Sequence, residues 1–309
     1  MATLYITHPA CRLHEMGEWH PECPARLDAI DDQLLMSGVS GILHPQQAAD
    51  ASDTDLLRVH SPEYLRFLQD NSPAFGYFSI DPDTTMNPHT LAAARAAAGA
   101  GIRAVDQIMS GAYQTAFCAV RPPGHHATPE RAMGFCFFNN IAVAAAYALD
   151  VYSLARVAII DFDVHHGNGT EDALAGDSRV MMCGFYQHPL YPGAGHFPPA
   201  ANMINVPVSA GTSGSRLRQI VTATWMPALT EFQPQLIFIS AGFDAHREDD
   251  LGQLSMVEDD YAWITTQLVN LAELSAQGRI VSMLEGGYSL SALGRSVVAH
   301  IKALSKVVE

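Results

Sequence analysis

The sequence predicts an α/β protein in which a parallel sheet is flanked by helices on both faces. Short runs rich in Val, Ile and Phe alternate with longer segments rich in Ala and Leu. The short runs are almost continuously apolar, which is typical of strands buried on both faces. No repeat, low-complexity stretch or linker interrupts the 309 residues. We therefore expect one domain over residues 1–309, long enough to bury a large core.

Each predicted element depends on its own local pattern. Runs of β-branched and aromatic residues predict strands at 3–7, 116–120, 156–162, 180–185, 235–240 and 279–284. Apolar residues at helical spacing predict helices at about 90–110, 139–150, 214–231, 258–276 and 289–306. Strands that alternate with helices form parallel sheets, and the active sites of such sheets lie at the carboxyl ends of the strands.

Charge and cysteine content exclude several classes of protein. Seventeen basic and 32 acidic side chains give a net charge of −15, which disfavours nucleic acid as a partner because phosphate binding needs clustered Lys and Arg. The acidity is compatible with a cationic substrate, or with solubility alone. No long apolar run predicts a membrane span, and the N-terminus does not resemble a signal peptide. Five irregularly spaced cysteines favour a cytoplasmic protein without disulfides.

The strongest functional signal is Asp-Phe-Asp-Val-His-His at residues 161–166, directly after an apolar run. Alternate residues on a strand share a face, so Asp161, Asp163 and His165 are expected to point the same way. Carboxylates converging at a strand end repel one another unless a counter-ion is present. Asp244 follows another apolar run. Asp163, His165 and Asp244 therefore predict a zinc shell with one open position. A di-manganese site and a metal-free polar strand end are the alternatives.

Two tandem histidines follow the rigid turn Arg121-Pro122-Pro123-Gly124. Neighbouring side chains diverge, so His125 and His126 are expected beside a metal rather than both bound to it. One of them could accept a proton as general base and return it to a leaving amine. Each imidazole then needs an orienting partner, for which Asp161 and Asn168 are the candidates. A surface turn with incidental histidines is the alternative.

Aromatic residues follow turns near the same edge of the predicted sheet. Two glycines precede Tyr288 after the last predicted strand, and a phenol presented there could donate to a carbonyl oxygen and stabilise an oxyanion. Phe135 follows Gly134, and Tyr191 precedes a Pro-Gly pair. Two such rings could form the walls of a narrow apolar channel. For all three aromatic residues, ordinary packing at a turn or in the core is the alternative.

Taken together, these motifs resemble the zinc-dependent deacetylases of the arginase/deacetylase fold. That group includes class II histone deacetylases, bacterial histone deacetylase-like amidohydrolases and acetylpolyamine amidohydrolases. The matching segments run through nearly the whole chain, at residues 20–26, 59–64, 121–126, 134–140, 161–170, 241–245 and 284–288. Asn168 stands where class I members carry Asp and class II members carry Asn, so the chain looks class II-like.

The resemblance implies a role for each candidate residue. The zinc ligands would be Asp163, His165 and Asp244. The catalytic residues would be His126 as general base and acid, His125 with Asp161 as electrostatic support, Asn168 as a partner, and Tyr288 on the acetyl carbonyl. The substrate-binding residues would be Gly134 through its carbonyl, Phe135 and Tyr191 as channel walls, and Leu251 where a polyamine-selective relative carries a glutamate gatekeeper.

The resemblance also implies a structural potassium ion behind the zinc. Asp161 and the main-chain carbonyls of Asp163 and His165 would bind it. A serine that contributes to this ion in the family is replaced by Gly184 here. The native metal of the catalytic site, zinc or iron, is left open by the sequence.

The predicted activity is hydrolysis of an acetyl amide on a small cationic amine, such as an acetylated polyamine or N-acetylcadaverine. Deacetylation of acetyl-lysine in proteins is the alternative. Acidic residues expected at the channel rim, where they could bind an ammonium group, are Glu15, Glu18, Glu22, Asp81 and Asp83. Rival functions are an inactive acetyl-amine binder, disfavoured by the intact histidines and tyrosine, and an arginase-like manganese ureohydrolase, disfavoured by the Gly-Gly-Tyr turn. A homodimer is compatible with the sequence, and no nucleic-acid or membrane partner is expected.

Overall fold

A computed structural model describes residues 3–193 and 199–307. The strands are β1 Thr3–Thr7, β2 Leu43–Gln47, β3 Phe78–Ser79, β4 Thr85–Met86, β5 Thr115–Cys118, β6 Val157–Asp161, β7 Val180–Gln187, β8 Met203–Val208, β9 Leu236–Ala241 and β10 Ile280–Leu284. The helices are α1 Ala25–Met36, α2 Asp53–Leu56, α3 Pro62–Asp70, α4 Thr90–Met109, α5 Asn140–Val151, α6 Asn168–Leu174, α7 Gly214–Ile220, α8 Met226–Phe232, α9 Glu258–Ser275 and α10 Leu290–Leu304.

Eight strands form one sheet in the order β2-β1-β5-β10-β9-β6-β7-β8. Every neighbouring pair is parallel, so all eight carboxyl ends lie at the same edge. The α/β prediction is therefore confirmed, and each predicted strand is present with its ends shifted by at most two residues. In the centre of the sheet, β9 pairs with both β10 and β6, which brings the segments that follow these three strands together.

Helices cover both faces of this sheet. Cys118 of β5 contacts the carbonyl of Ala100 in α4, while the adjacent Phe117 packs against His300 of α10. Because successive side chains of a strand point to opposite faces, α4 and α10 lie on opposite sides. Helix α5 packs beside α4, and α1 and α9 pack on either side of α10. The five cysteines are free, and no helix in the described ranges is long and apolar enough to cross a membrane.

Three parts of the fold differ from the sequence prediction. The edge strands β2 and β8 were not predicted, because each contains a proline, Pro45 or Pro207, and is only partly buried. The sequence also did not predict the helices α1, α2, α3 and α6 or the short strands β3 and β4. The predicted helix 214–231 is interrupted by a π-helical turn at Val221–Trp225. Pro227 lies in the next turn and has no N–H to donate, which explains the break in the α-helical hydrogen bonds.

Candidate active site

The Asp-Phe-Asp-Val-His segment converges through two bends rather than through strand alternation. Strand β6 ends at Asp161, so the expectation that Asp163 and His165 continue the strand is wrong. The backbone N–H of Asp163 donates to Asp161 Oδ1 (3.1 Å), and that of His165 donates to Asp163 Oδ1 (2.9 Å). Both carboxylates accept hydrogen bonds from N–H groups that lie beyond the end of the strand. These bonds bend the chain at the two turns. The side chains still meet, but for a different physical reason.

Asp163, His165 and Asp244 form a buried group, hereafter the metal cluster. His165 Nδ1 lies 3.0 Å from Asp163 Oδ1 and 3.2 Å from Asp244 Oδ2. One ligand atom from each residue lies within 4.8 Å of the others. The remaining carboxylate oxygens are fixed from behind by N–H donors, with Val164 on Asp244 (2.8 Å) and Gly286 on Asp163 (2.9 Å). This group could hold a metal ion.

The electrostatics of the metal cluster favour a cation between its side chains. Burial and the neighbouring Asp163 carboxylate raise the pKa of Asp244 to about 7. Burial opposes protonation of His165, but the hydrogen bonds that its Nδ1 donates to the Asp163 and Asp244 carboxylates raise the pKa of the imidazole to about 10. The two carboxylates therefore stabilise a cation at the position of His165 Nδ1. The same two carboxylates would stabilise a metal ion bound between the three side chains.

The tandem histidines lie side by side next to the metal cluster, with ring centroids 4.1 Å apart. His125 Nδ1 lies 2.9 Å from Asp161 Oδ2, and His126 Nδ1 lies 2.7 Å from Asn168 Oδ1. The structure therefore brings each histidine to one of the two orienting partners that the sequence suggested. A carboxylate and an amide are different partners, because the carboxylate carries a full negative charge and favours a charged imidazole more strongly than the neutral amide does.

The two histidines have opposite protonation preferences. Burial lowers the pKa of His125, but the nearby Asp163 and Asp161 carboxylates outweigh it and raise this pKa well above the ordinary value. Burial, together with the positive charge on His125 and on His165, lowers the pKa of His126 well below the ordinary value. One ring is thus held charged and the other neutral, which suits the neutral ring to accept a proton.

A cavity of about 210 Å³ opens onto these groups. Its lining combines polar groups with apolar and aromatic walls and consists of Asp83, His126, Gly134, Phe135, His165, Leu190, Tyr191, Leu251 and Tyr288. The four substrate-binding residues predicted from the sequence are therefore all in the lining. Gly134 has φ +55°, and a Cβ there would lie 2.5 Å from His126 Cδ2, so a glycine is required. Phe135 itself has φ +69°, a rare backbone conformation that is often found at functional sites.

Tyr288 reaches the cavity from the turn that follows β10. A Cβ on Gly286 would lie 2.1 Å from Asp244 Oδ2, so only glycine lets the backbone pass this close to the metal cluster. Arg26 Nε donates to the carbonyl of Gly287 (2.7 Å), and its guanidinium lies 5.0 Å from the Tyr288 ring centroid. Burial raises the pKa of Tyr288 well above its ordinary value. The phenol therefore keeps its proton and is available as a donor.

Comparison with known proteins agrees with this geometry. Residues 20–304 match the histone deacetylase domain. The chain belongs to the histone deacetylase family. It is 37% identical over 295 residues to a histone deacetylase-like amidohydrolase of Pseudomonas aeruginosa, covering 93% of this chain and 77% of the relative. It is 36% identical over 298 residues to a probable deacetylase of Archaeoglobus fulgidus, covering 94% and 82%. The crystal structure of the HDA15 HD domain matches with a TM-score of 0.91 at 34% identity, covering 98% of this chain and 88% of that one.

Family membership confirms the predicted histone deacetylase-like fold and places the chain among deacetylase-type hydrolases. One expectation about this deacetylase-family site is wrong. Glu22 is not at the rim of the cavity, because its side chain is completely buried and forms ion pairs with Arg26 and Arg121. Asp83 does line the cavity, whereas Glu15 accepts a hydrogen bond from Tyr77 on the surface.

Sequence reasoning also missed a carboxylate behind the histidine pair. Glu285 is completely buried. Its Oε2 accepts from the backbone N–H groups of Gly124 (2.7 Å) and His125 (3.1 Å), and its Oε1 accepts from the Ser240 hydroxyl (3.0 Å). Burial raises the pKa of Glu285 to about 7. This residue ties the histidine turn to the ends of β9 and β10. Its place directly after a predicted strand was the available signal.

The region around Gly184 has a distinctive feature in this chain. A Cβ on Gly184 would lie 2.8 Å from Asn205 Oδ1 and 3.3 Å from the Asp161 carbonyl oxygen. Asn205 Oδ1 is buried and has no hydrogen-bond partner among the described residues. Its amide nitrogen donates to Glu171 Oε2 (2.7 Å). The amide oxygen therefore occupies the space that a larger residue at position 184 would fill.

Proposed function

We propose that this protein is a zinc-dependent amidohydrolase that removes the acetyl group from a small cationic amine. The observation that carries the proposal is the composition of the 210 Å³ cavity. It brings one metal-cluster residue, one neutral histidine and one protonated phenol into a single narrow space, and it also includes the Asp83 carboxylate. A slender acetylated chain with a distal positive charge has the shape and charge to fill it.

The metal cluster fits zinc by the chemistry of its donors. Zinc in catalytic sites takes three protein ligands of nitrogen and oxygen type and keeps one position open. Asp163, His165 and Asp244 supply such a set, and His165 borders the cavity. When bound, zinc would supply Lewis acidity toward a carbonyl group.

His126 is proposed to move the proton. Asn168 engages its Nδ1, which leaves Nε2 for the substrate. Nε2 accepts a proton from the water that attacks the acetyl carbon, and it then donates that proton to the amide nitrogen as the C–N bond breaks. The products are acetate and the free amine. The low pKa of His126 keeps the ring neutral before the reaction, as a general base requires.

His125 and Tyr288 are proposed to stabilise charge rather than to transfer protons. His125 is held charged by Asp161 and Asp163, and it lies beside His126 throughout. Tyr288 Oη donates a hydrogen bond to the acetyl oxygen as that oxygen gains negative charge in the transition state. Because burial keeps the phenol protonated, it can act as a donor over the whole range in which His126 is neutral.

The preference for a cationic amine is supported by Asp83. Burial and the neighbouring Asp81 raise the pKa of Asp83, so its charged form lacks compensation and would be stabilised by an ammonium group. Leu251 supports the second candidate, an acetyl-lysine peptide. It lines the cavity at the position where, by the family resemblance, a polyamine-selective relative carries a glutamate, and an apolar residue there also accepts a lysine side chain.

A structural potassium ion is also proposed, with Asn205 in place of the missing family serine. Asn205 Oδ1 has no hydrogen-bond partner among the described residues and lies near Gly184, as does the Asp161 carbonyl. It is a neutral oxygen ligand of the type that a hard monovalent cation prefers. Asp161 and the main-chain carbonyls of Asp163 and His165 would complete the shell.

The proposed function is tested by kcat/KM for N-acetylputrescine, N-acetylcadaverine, acetyl-lysine peptides and N-hexylacetamide. The last compound has the length of N-acetylcadaverine with a methyl group in place of the ammonium. We expect the acetylated diamines to be the best substrates and N-hexylacetamide to be poor. Asp83→Asn should raise KM for the diamines and leave KM for N-hexylacetamide unchanged.

Glu231→Gln is the matched control for Asp83→Asn, because Glu231 is exposed in α8, near the end that precedes β9. This substitution removes the same charge at the opposite edge of the sheet and should not alter KM. Raising the salt concentration should raise KM for the diamines, since exposed charges are screened. A large advantage for lysine peptides over every diamine at low salt would replace the small-amine proposal with the protein-deacetylase alternative.

A further inference from the structure

A buried carboxylate that the proposed chemistry does not use lies behind the tyrosine turn. Asp249, in the loop between β9 and α9, is only 5% exposed. Its Oδ2 accepts from the backbone N–H groups of Tyr288 (2.6 Å) and Ser289 (3.0 Å). Its Oδ1 accepts from the backbone N–H of Leu251 (3.0 Å). Both oxygens are therefore engaged, each by a different segment of the cavity wall.

These hydrogen bonds act on the turn at residues 286–289, whose glycines allow many backbone conformations. Gly287 has φ +124°, so the turn before Tyr288 consists of residues with wide conformational freedom. Ser289 is the N-cap of α10, but its side chain makes no capping hydrogen bond. The Asp249 carboxylate supplies the acceptor and the negative charge that are favourable at the start of a helix.

We propose that Asp249 is a positioning residue that sets the place of the Tyr288 phenol and of the Leu251 side chain together. This inference rests on the proposed function, in which Tyr288 is the oxyanion donor. Arg26 holds the carbonyl side of the turn through Gly287, while Asp249 holds the N–H side. The peptide group that joins Gly287 to Tyr288 is thus held by a cation at its carbonyl oxygen and by an anion at its N–H.

Asp249→Asn is an informative test because the carboxylate accepts hydrogen bonds from two separate segments. An asparagine has one acceptor oxygen, so whichever way its amide is oriented, one of the two segments faces an N–H₂ donor instead of an acceptor. The volume is unchanged, and no cavity is created. Asp250→Asn is the matched control, because Asp250 is the exposed neighbour and loses the same charge.

The first measurement is hydrogen exchange of the backbone amides in two peptides, one containing residues 285–290 and the other containing Leu251. Asp249→Asn should speed exchange in the segment that faces the N–H₂ group, at Tyr288 and Ser289 or at Leu251, and Asp250→Asn should speed exchange in neither. The second measurement is kcat on an acetylated amine that the wild-type enzyme hydrolyses. Asp249→Asn should lower kcat by about 10- to 100-fold, the loss that follows when a transition-state contact is displaced by about 1 Å.

A double-mutant cycle separates positioning from general damage. If Asp249 acts through the phenol, Asp249→Asn should lower kcat much less in a Tyr288→Phe background than in the wild type. An equal loss in both backgrounds would overturn the proposal, and so would unchanged exchange with kcat within about twofold of the wild type. If Asp249→Asn is recovered unfolded, Asp249→Glu takes its place, because it keeps the charge but moves the carboxylate by one methylene.

The outcome for Asp249 can be distinguished from the outcome for the proposed function. A wild-type protein that hydrolyses none of the acetylated amines would overturn the function. The exchange measurement would still decide whether Asp249 holds the turn. An active wild-type enzyme with an unaffected Asp249→Asn variant would overturn only the positioning role.

Discussion

Two buried ionic groups lie on either side of the Gly-Gly-Tyr turn, and they differ in how their charges are balanced. The arginine cluster consists of Glu22, Arg26 and Arg121. Both carboxylate oxygens of Glu22 are engaged by guanidinium N–H groups, with Arg26 on one (3.0 Å) and Arg121 on the other (2.7 Å). Arg121 also donates to the backbone carbonyls of Cys11 and His14. Every strong donor and acceptor named here has a partner within the protein.

The carboxylates of the metal cluster are balanced less completely by cationic groups. Two completely buried carboxylates share one imidazole nitrogen, and the pKa of Asp244 is raised to about 7 by burial and by Asp163. In the arginine cluster, burial alone would raise the pKa of Glu22, but Arg121, His14 and Arg26 hold it well below its ordinary value. A buried acid with its counter-charge in the protein is structural. A buried acid without enough counter-charge indicates a bound cation.

The turn at residues 285–288 connects the two groups. Arg26 donates to the carbonyls of Glu285 and Gly287, and the N–H of Gly286 donates to Asp163 Oδ2. The same short segment is thus held by the arginine cluster on one side and supports the metal cluster on the other. The two clusters share this turn but no side chain, because the arginine cluster contributes none of the three candidate metal ligands, so we expect changes to them to have separable consequences.

The largest effect is expected from Asp244→Ala. Removing one of three ligands should abolish metal retention and activity together, because two remaining side chains cannot hold the ion. Elemental analysis of the purified variant, alongside kcat/KM, measures both. Asp250→Asn is the control and should keep its metal. Full metal occupancy with normal turnover in Asp244→Ala would remove the metal cluster from the mechanism.

The histidine pair tests the chemistry beside the metal cluster. His126→Ala should lower kcat by about 10²–10⁴-fold, the usual contribution of a general acid–base group. His125→Ala should cost less, since that ring is asked only to carry charge. Metal content should be unchanged in both variants. The assignment of roles would be reversed if His125→Ala proved the more damaging of the two.

Glu22→Gln tests the arginine cluster. Two buried guanidinium groups would lose their counter-charge, and the free energy of unfolding should fall by about 3–5 kcal/mol. Urea denaturation followed by circular dichroism measures this change. The exposed pair between Glu273 and Lys306 is the control, and Glu273→Gln should cost at most about 1 kcal/mol. Folded Glu22→Gln protein should retain its metal, and a folded variant without metal would contradict the separation of the clusters.

A third buried group, His300, has no counter-charge among the residues that the structure describes and should therefore stay neutral. It is completely buried and hydrogen-bonded to the hydroxyls of Thr265 and Ser282, and burial lowers its pKa from 6.5 to about 3. The unfolded chain binds the proton more readily than the folded protein between these values. The stabilising effect of the neutral ring is therefore complete above pH 6.5 and is lost as the pH falls toward 3.

His300→Gln should remove this dependence. Between pH 6.5 and 3, the slope of the unfolding free energy against pH should be smaller in the variant by up to about 1.4 kcal/mol per pH unit. Chemical denaturation at a series of pH values gives both slopes. Parallel curves for the variant and the wild type would show that His300 titrates alike in the folded and unfolded states.

The sequence by itself determined the interior of the sheet and the residues at its functional edge. Strands β1, β5, β6, β7, β9 and β10 are predicted because strands buried on both faces are continuously apolar. The metal-cluster and histidine residues follow these strands directly, so a prediction of the strands also predicts where the residues meet. The outer strands β2 and β8 were missed because an edge strand tolerates proline and polar side chains and so loses the apolar pattern.

Only the tertiary structure decided which charged residues face the cavity and which are buried behind it. Glu22 was expected at the rim, yet its partner Arg121 is 99 residues away in the chain. Asp249 lies 39 residues from Tyr288, and Glu285 lies 161 from Gly124. A carboxylate has the same local sequence signal whether it is solvated or buried. Its role depends on donors that separate loops bring within about 3 Å of it, and that distance is set by packing rather than by local sequence.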